Sequence, residues 1–190
     1  IFPKKGGQTA MSPLPAGIPG SREGTPEGIN PVTHKLDGDK AVRRPIDDAK
    51  KLMAEAGYPN GRDAKTGKPL VINYDVYYPA TPERKPEIDW MVRQFAKIDI
   101  QVEVRATDNN QFQDKVRKNK HQVFWLGWNA DYPDAENFLF LLYGPTGKTK
   151  YDGENTSNYA SAEFDRLFVV MKTLEDGPEK QKLIDDMVRV

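Results

Sequence analysis

Apolar residues recur along the chain with periods that switch between helix and strand. Between Pro45 and Gly57, the residues Ile46, Ala49, Leu52, Met53 and Ala56 share one side of a helical repeat, which predicts an amphipathic helix. Asp47 and Asp48 stand where the positive end of a helix favours carboxylates, and Gly57 supplies a left-handed cap at its other end. Leu70 to Tyr78 alternates and is rich in β-formers. Thr81-Pro82 then opens a helix with Ile88, Met91, Val92 and Phe95 on one side, and after the turn Lys97-Ile98-Asp99 the alternation resumes at Ile100, Val102 and Val104. The pattern predicts a β-α-β unit with two parallel strands and a right-handed crossover.

A further amphipathic helix is expected from Thr107 to about Lys118, with Phe112 and Val116 facing inward. Gln122 to Trp128 is almost wholly apolar, so it reads as a strand buried on both faces. Beyond it the pattern predicts a helix from about Pro133 to Tyr143, a polar loop from Gly144 to Tyr159, and a helix from Ser161 that displays Phe164, Leu167, Phe168, Met171 and Leu174. Gly177-Pro178 opens a last helix carrying Leu183, Ile184, Met187 and Val188. Residues 1–44 are different, broken by Pro3, Pro13, Pro15, Pro19, Pro26 and Pro31 and by many glycines. They read as an irregular segment, and Ile1, Phe2, Met11, Leu14, Ile18 and Ile29 give it anchors for lying over a core. The expected organisation is therefore 1–44 as a covering arm and 45–190 as one α/β lobe, a small mixed sheet flanked by helices.

Charge and composition narrow the function. Acidic and basic side chains balance at 28 each, so no broad field draws in nucleic acid or an anionic membrane. No apolar stretch reaches membrane-spanning length. The absence of cysteine excludes disulfides and thiolate metal sites and leaves the compartment open. Ile1 is neither an initiator methionine nor the start of an export signal, so the chain reads as part of a longer one.

Candidate chemistry collects after the apolar strand, because ligands of α/β sheets gather beyond the carboxyl ends of strands. Gly127 lets a ligand backbone come close, Trp128 offers a flat apolar wall, and Asp131 supplies a charge ahead of a helix start. A core tryptophan, a glycine relieving crowding and an aspartate capping the helix account for the same residues equally well. Asp131 with Asp134 or Glu136 also resembles an acid/base pair for a glycosidic bond, which makes a carbohydrate-active enzyme the competing class. Carboxylates early in a helix ordinarily serve its dipole, however, and no nucleophile, base and orienting group come together. His34 and His121 lack metal-ligand spacing. Asn155, Asn158 and Tyr159 form a turn that needs no ligand to explain it, and Lys115, Arg117, Lys118 and Lys120 read as a solvated helix face.

The run Gly127-Trp128-Asn129-Ala130-Asp131-Tyr132-Pro133-Asp134-Ala135-Glu136-Asn137-Phe138-Leu139 resembles the Gly-Trp-x-Ala-Asp-Tyr segment of the oligopeptide/dipeptide/nickel family of ABC-importer solute-binding proteins. Three other pieces agree in order and spacing: Asp48 to Pro59, the helix and strand up to Ile100-Gln101-Val102, and Asn155-Thr156-Ser157-Asn158-Tyr159 followed by Glu163 to Leu167. The resemblance implies one lobe, the second, of a two-lobed periplasmic-binding-protein-like fold, without the first lobe. It implies that Gly127, Trp128, Asn129 and Ala130 pair their backbone with an extended ligand and that Asp131 receives its amino terminus. The implied protein is a monomer working with a membrane permease in a periplasmic or otherwise extracytoplasmic place, lipid-anchored or free, with no catalysis and no cofactor. Relatives on this scaffold also take metal chelates, sugars and other small solutes. Some oligopeptide binders carry an arginine where this chain has Trp125, which leaves the handling of a ligand carboxylate open.

Overall fold

A computed structural model describes residues 10–79 and 81–190. The expected anchors Ile1 and Phe2 lie outside the described residues. By their contacts the residues form two compact units, one Arg44–Leu126 and the other 10–43 together with Gly127–Val190. Residues 10–43 thus group by contacts with the later part of the chain.

The first unit contains the β-α-β pattern. Strands β3 (Val71–Val76) and β4 (Gln101–Ala106) pair in parallel, from Val71 opposite Gln101 to Val76 opposite Ala106. Helix α2 (Lys85–Ala96) connects them, and α3 (Asn109–Arg117) follows β4 with Asp108 as its cap, whose side chain accepts from Gln111 N. Tyr74, Val76, Tyr78 and Ile88 are buried together, with Met91, Val102 and Val123 against them. On α3, Phe112 and Val116 are fully buried, as the periodicity predicts.

Two expectations fail in this unit. The apolar run after Gln122 forms only a two-residue strand, β5 (Val123–Phe124), parallel to the central β3. Its continuation is not buried on both faces: Trp125 and Leu126 are 46% and 44% exposed. The Trp125 ring lies parallel to Tyr77, with centroids 6.2 Å apart. The other is α1 (Ile46–Glu55), which forms but buries none of its residues and leaves Ile46 and Leu52 exposed. Its end is closed as expected, with Gly57 at φ +90°, Gly57 N donating to Ala54 O and Tyr58 N to Met53 O. Gly61 is fixed by close approach, since a Cβ there would fall 1.8 Å from Asp99 O in the turn before β4.

The second unit is built on α6 (Ala162–Met171) and α7 (Pro178–Arg189). Ser161 caps α6 by accepting from Phe164 N, and Phe164, Leu167, Phe168 and Met171 form its buried stripe. These residues pack with Ile184 and Met187 of α7 and with Ala135 and Leu139. Leu14, from the proline-rich segment, is buried in the same core at 1% exposure. That segment is further tied to α7 by Arg22 on Asp185, with bonds of 3.1 and 2.8 Å, and by Gln181 Nε2 donating to Gly20 O at 3.1 Å. It is less irregular than expected, because β1 (His34–Asp37) and β2 (Lys40–Arg43) form an antiparallel hairpin. The helix expected over Pro133 to Tyr143 is shorter: α4 (Glu136–Leu139), continued by a 3₁₀ turn Phe140–Leu142. The polar loop after it holds a one-turn helix, α5 (Lys148–Tyr151). The fold class is α/β, with small sheets flanked by helices, and no helix among the described residues is long and apolar enough to cross a membrane.

Candidate ligand-binding site

Residues 127–130 open the second unit without regular secondary structure. Among the described residues, none of their backbone N–H or C=O groups makes a hydrogen bond. Gly127, Asn129 and Ala130 are exposed, so their backbone groups stand open to a partner, as those of an unpaired strand edge do. Crowding does not explain Gly127, since a Cβ there would meet nothing within 4 Å.

Trp128 is neither core nor free. Its ring is half-buried and meets Phe140 edge to face, with centroids 5.3 Å apart at 68°. Its indole Nε1 donates to Asn137 Oδ1 at 2.9 Å. The same oxygen accepts from the backbone N of Asp131 at 3.3 Å, and Asn137 itself is only 2% exposed. The Asp131 carboxylate is exposed and has no donor or cation partner among the described residues.

The capping role considered for Asp131 is not observed: the residue at the cap of α4 is Ala135, and it is Asp134 that makes the local turn into the helix, its Oδ1 accepting from Glu136 N at 2.8 Å. Nor does a helix end hold the charge of Asp131, since α4 begins only at Glu136 and has four residues. The other oxygen of Asp134 meets the Lys180 ammonium at 2.8 Å, and Lys180 also pairs with Asp176 at 2.9 Å. Burial pushes the Asp134 carboxyl up, but Lys180 and the Glu136 N–H outweigh it and hold it below the ordinary aspartate range. Lys180 is likewise lowered by burial and raised on balance by its two carboxylates. Glu136 accepts from the Tyr132 hydroxyl. Asp134 and Glu136 are thus engaged in holding the loop, and a carboxyl kept ionised by a lysine is a poor proton donor.

The remaining candidates are structural. Asn155 is fully buried and its side chain is saturated: Nδ2 donates to Tyr143 O and Tyr159 O, and Oδ1 accepts from Ser157 Oγ and Tyr159 N. His34 pairs with Thr33 and His121 lies edge-on to Phe124. No group of three or more His, Asp or Glu among the described residues is placed to hold a metal. Lys115 departs from the solvated face expected of it and reaches the buried Asp75 at 2.6 Å. Asn137 and Lys180 did not emerge from the sequence as site residues. The one signal for Asn137 is a polar residue between Glu136 and the apolar run Phe138 to Leu142.

Residues 2–150 match the family described as bacterial extracellular solute-binding proteins, family 5 Middle. The chain belongs to this family. Its curated relatives include a di/tripeptide-binding protein of Pseudomonas aeruginosa, 25% identical over 141 residues, which are 73% of this chain and 25% of that protein. Heme-binding protein A of Haemophilus influenzae is 27% identical over 135 residues, 71% of this chain and 23% of the relative. The chain thus spans about a quarter of the length of these curated relatives. Among solved structures, the periplasmic binding protein DppA of Helicobacter pylori, associated with an ABC transporter and bound to the peptide STSA, superposes with a TM-score of 0.72. The match covers 96% of this chain and 31% of that one at 22% identity, which shows the shared fold of two-lobed periplasmic binding proteins. Family 5 membership places the chain outside the cytoplasmic membrane.

Proposed function

We propose that this chain contributes part of the solute site of a family 5 importer-associated binding protein, and that the solute is an extended peptide. Gly127 to Ala130 pair their main chain with that of the ligand, Trp128 walls the site, and Asp131 receives the ligand's amino terminus. The observation that carries the reading is the run of unpaired backbone groups in residues 127–130, beside an anchored tryptophan and an unpaired carboxylate. Main-chain pairing recognises any peptide through atoms that all peptides share, and leaves side chains to looser pockets. Broad sequence tolerance follows. The peptide named for the Helicobacter pylori protein and the name of the Pseudomonas aeruginosa relative support this class of solute. Capture needs no covalent chemistry and no cofactor, and its partner is a membrane permease that accepts the loaded, monomeric protein.

Calorimetry on the full-length protein with short peptides tests the reading. A free-amine peptide is expected to bind and its N-acetylated form to bind far more weakly. Asp131→Ala is expected to cost on the order of 3 kcal/mol toward the free-amine peptide, much of it from stranding a desolvated ammonium. It should cost little toward the acetylated one. Equal affinity of wild type and variant for the free-amine peptide removes Asp131 from its role. Heme-binding protein A, by its name, keeps a non-peptide solute as the second reading, and absence of any peptide binding by the full-length protein would favour it.

A further inference from the structure

Asn137 stands apart from every other polar side chain near the candidate site. Its carboxamide, on the second residue of α4, is 2% exposed and accepts at a single oxygen from two groups of the loop that precedes it. One is the Trp128 indole N–H and the other the Asp131 backbone N–H, at 2.9 and 3.3 Å. We infer that Asn137 is the positioning residue of this site: it joins the apolar wall and the main chain of the amine anchor into one rigid piece before ligand arrives. The inference rests on the peptide-binding reading for its consequence in affinity, but not for its geometry.

The backbone of residues 127–130 makes no hydrogen bonds among the described residues, so no local main-chain pairing selects one conformation for it. Rotation of the Trp128 side chain is restrained by Phe140 on one side and by the indole bond on the other. The far end of the loop is restrained at Asp131 by the same oxygen. Fixing both ends to one buried acceptor lowers the ordering that a ligand must impose, which is where preorganised sites gain affinity. Asn137 is in turn held where it is by α4 and by its own N–H on Asp134 O; the Asp134 side chain accepts from Glu136 N and is itself clamped by Lys180. Lys180 therefore supports the arrangement from a distance, while Asn137 makes the contact.

The test uses the full-length protein, the variants Asn137→Leu and Asn137→Asp, and two readouts. The first is the Trp128 indole N–H resonance, assigned by its loss in Trp128→Phe, with its hydrogen-exchange rate. The second is affinity for a free-amine dipeptide. In wild type the indole proton is expected to exchange slowly. Asn137→Leu, which has no acceptor, should release it to fast exchange and weaken the dipeptide by about tenfold or more. Asn137→Asp, which keeps a side-chain oxygen, should preserve the slow exchange. A slow indole proton in Asn137→Leu, or dipeptide affinity within twofold of wild type, overturns the inference. If Asn137→Leu does not fold, the wild-type exchange rate decides, fast exchange overturning it. If wild type binds no peptide at all, the peptide reading fails while the exchange experiment still judges Asn137.

Discussion

Asp75 shows how far a residue's role is from its local pattern. It is the fifth of six residues in the alternating strand β3, between the core residues Tyr74 and Val76 and so on the opposite face, where alternation allows a polar side chain in water, yet it is a fully buried carboxylate. Its partner is Lys115, 40 residues later on α3, at 2.6 Å with a side chain that is 26% exposed. The basic cluster of Lys115, Arg117, Lys118 and Lys120 was legible as a helix face, and Lys118 does pair locally with Asp114. Nothing local marks Lys115 as different, because its partner is set by the packing of α3 on the sheet. Removing one member of a buried pair strands the other charge. Lys115→Met is therefore expected to destabilise the protein by roughly 3 kcal/mol, while Lys118→Met on the exposed pair should change stability by about 0.5 kcal/mol or less. Denaturant melts of the two variants check this, and equal losses would show that Asp75 is not held by Lys115.

Elements were legible where one face is buried and the other wet, as in α2, α3, α6 and α7, and where the alternation of β3 and β4 flanks a helix. They were illegible where hydrophobicity serves something other than a core. The apolar run around Trp125 predicts a buried strand, but only Val123 and Phe124 pair with β3, and the aromatic surface continues exposed beside Tyr77. The α1 stripe predicts packing, and its Schellman cap forms, yet Ile46 and Leu52 stay exposed. Helix α6 is the opposite case, with local and tertiary signals in agreement. Ser161 accepts from Phe164 N at 3.2 Å, at the head of a stripe that buries Phe164, Leu167, Phe168 and Met171. Ser161→Ala is expected to cost about 1 kcal/mol, and Ser161→Asp to retain most of the stability through its own cap. Met171→Ala, at a position with no exposure, should cost about 2–5 kcal/mol. Thermal or denaturant unfolding measures all three, and a Ser161→Ala variant as stable as wild type would deny the cap its contribution.

At the scale of the whole molecule, the α/β class followed from the order of periods, whereas for the grouping of residues 10–43 with Gly127–Val190 the sequence offered only apolar anchors such as Leu14, without the core they join. That grouping depends on contacts such as Leu14 in the α6–α7 core and Arg22 on Asp185, and periodicity reports only on neighbours within a few residues. The clamp of Asp134, Lys180 and Asp176 is another long-range contact, and it gives stability a dependence on pH. Asp134 has a folded pKa below its unfolded value. Its contribution is therefore present above the unfolded aspartate pKa, about 3.9, and is lost as pH falls through the lower folded value. Lys180 has a folded pKa above its unfolded value, so its contribution is full below the unfolded lysine pKa, about 10.4, and fades as pH rises through the folded one. Many carboxylates titrate together in acid, and the pair is isolated by comparing wild type with Lys180→Met. Without the ammonium, burial is left as the main influence on Asp134 and its pKa rises, so protonation in acid relieves the variant while it costs the wild type. The stability gap between the two proteins is expected to be largest near pH 6 to 8 and to narrow steadily below about pH 4. Thermal melts across that range measure it, and a gap that stays constant into acid would show that the Lys180 ammonium does not hold the Asp134 carboxylate in the folded protein.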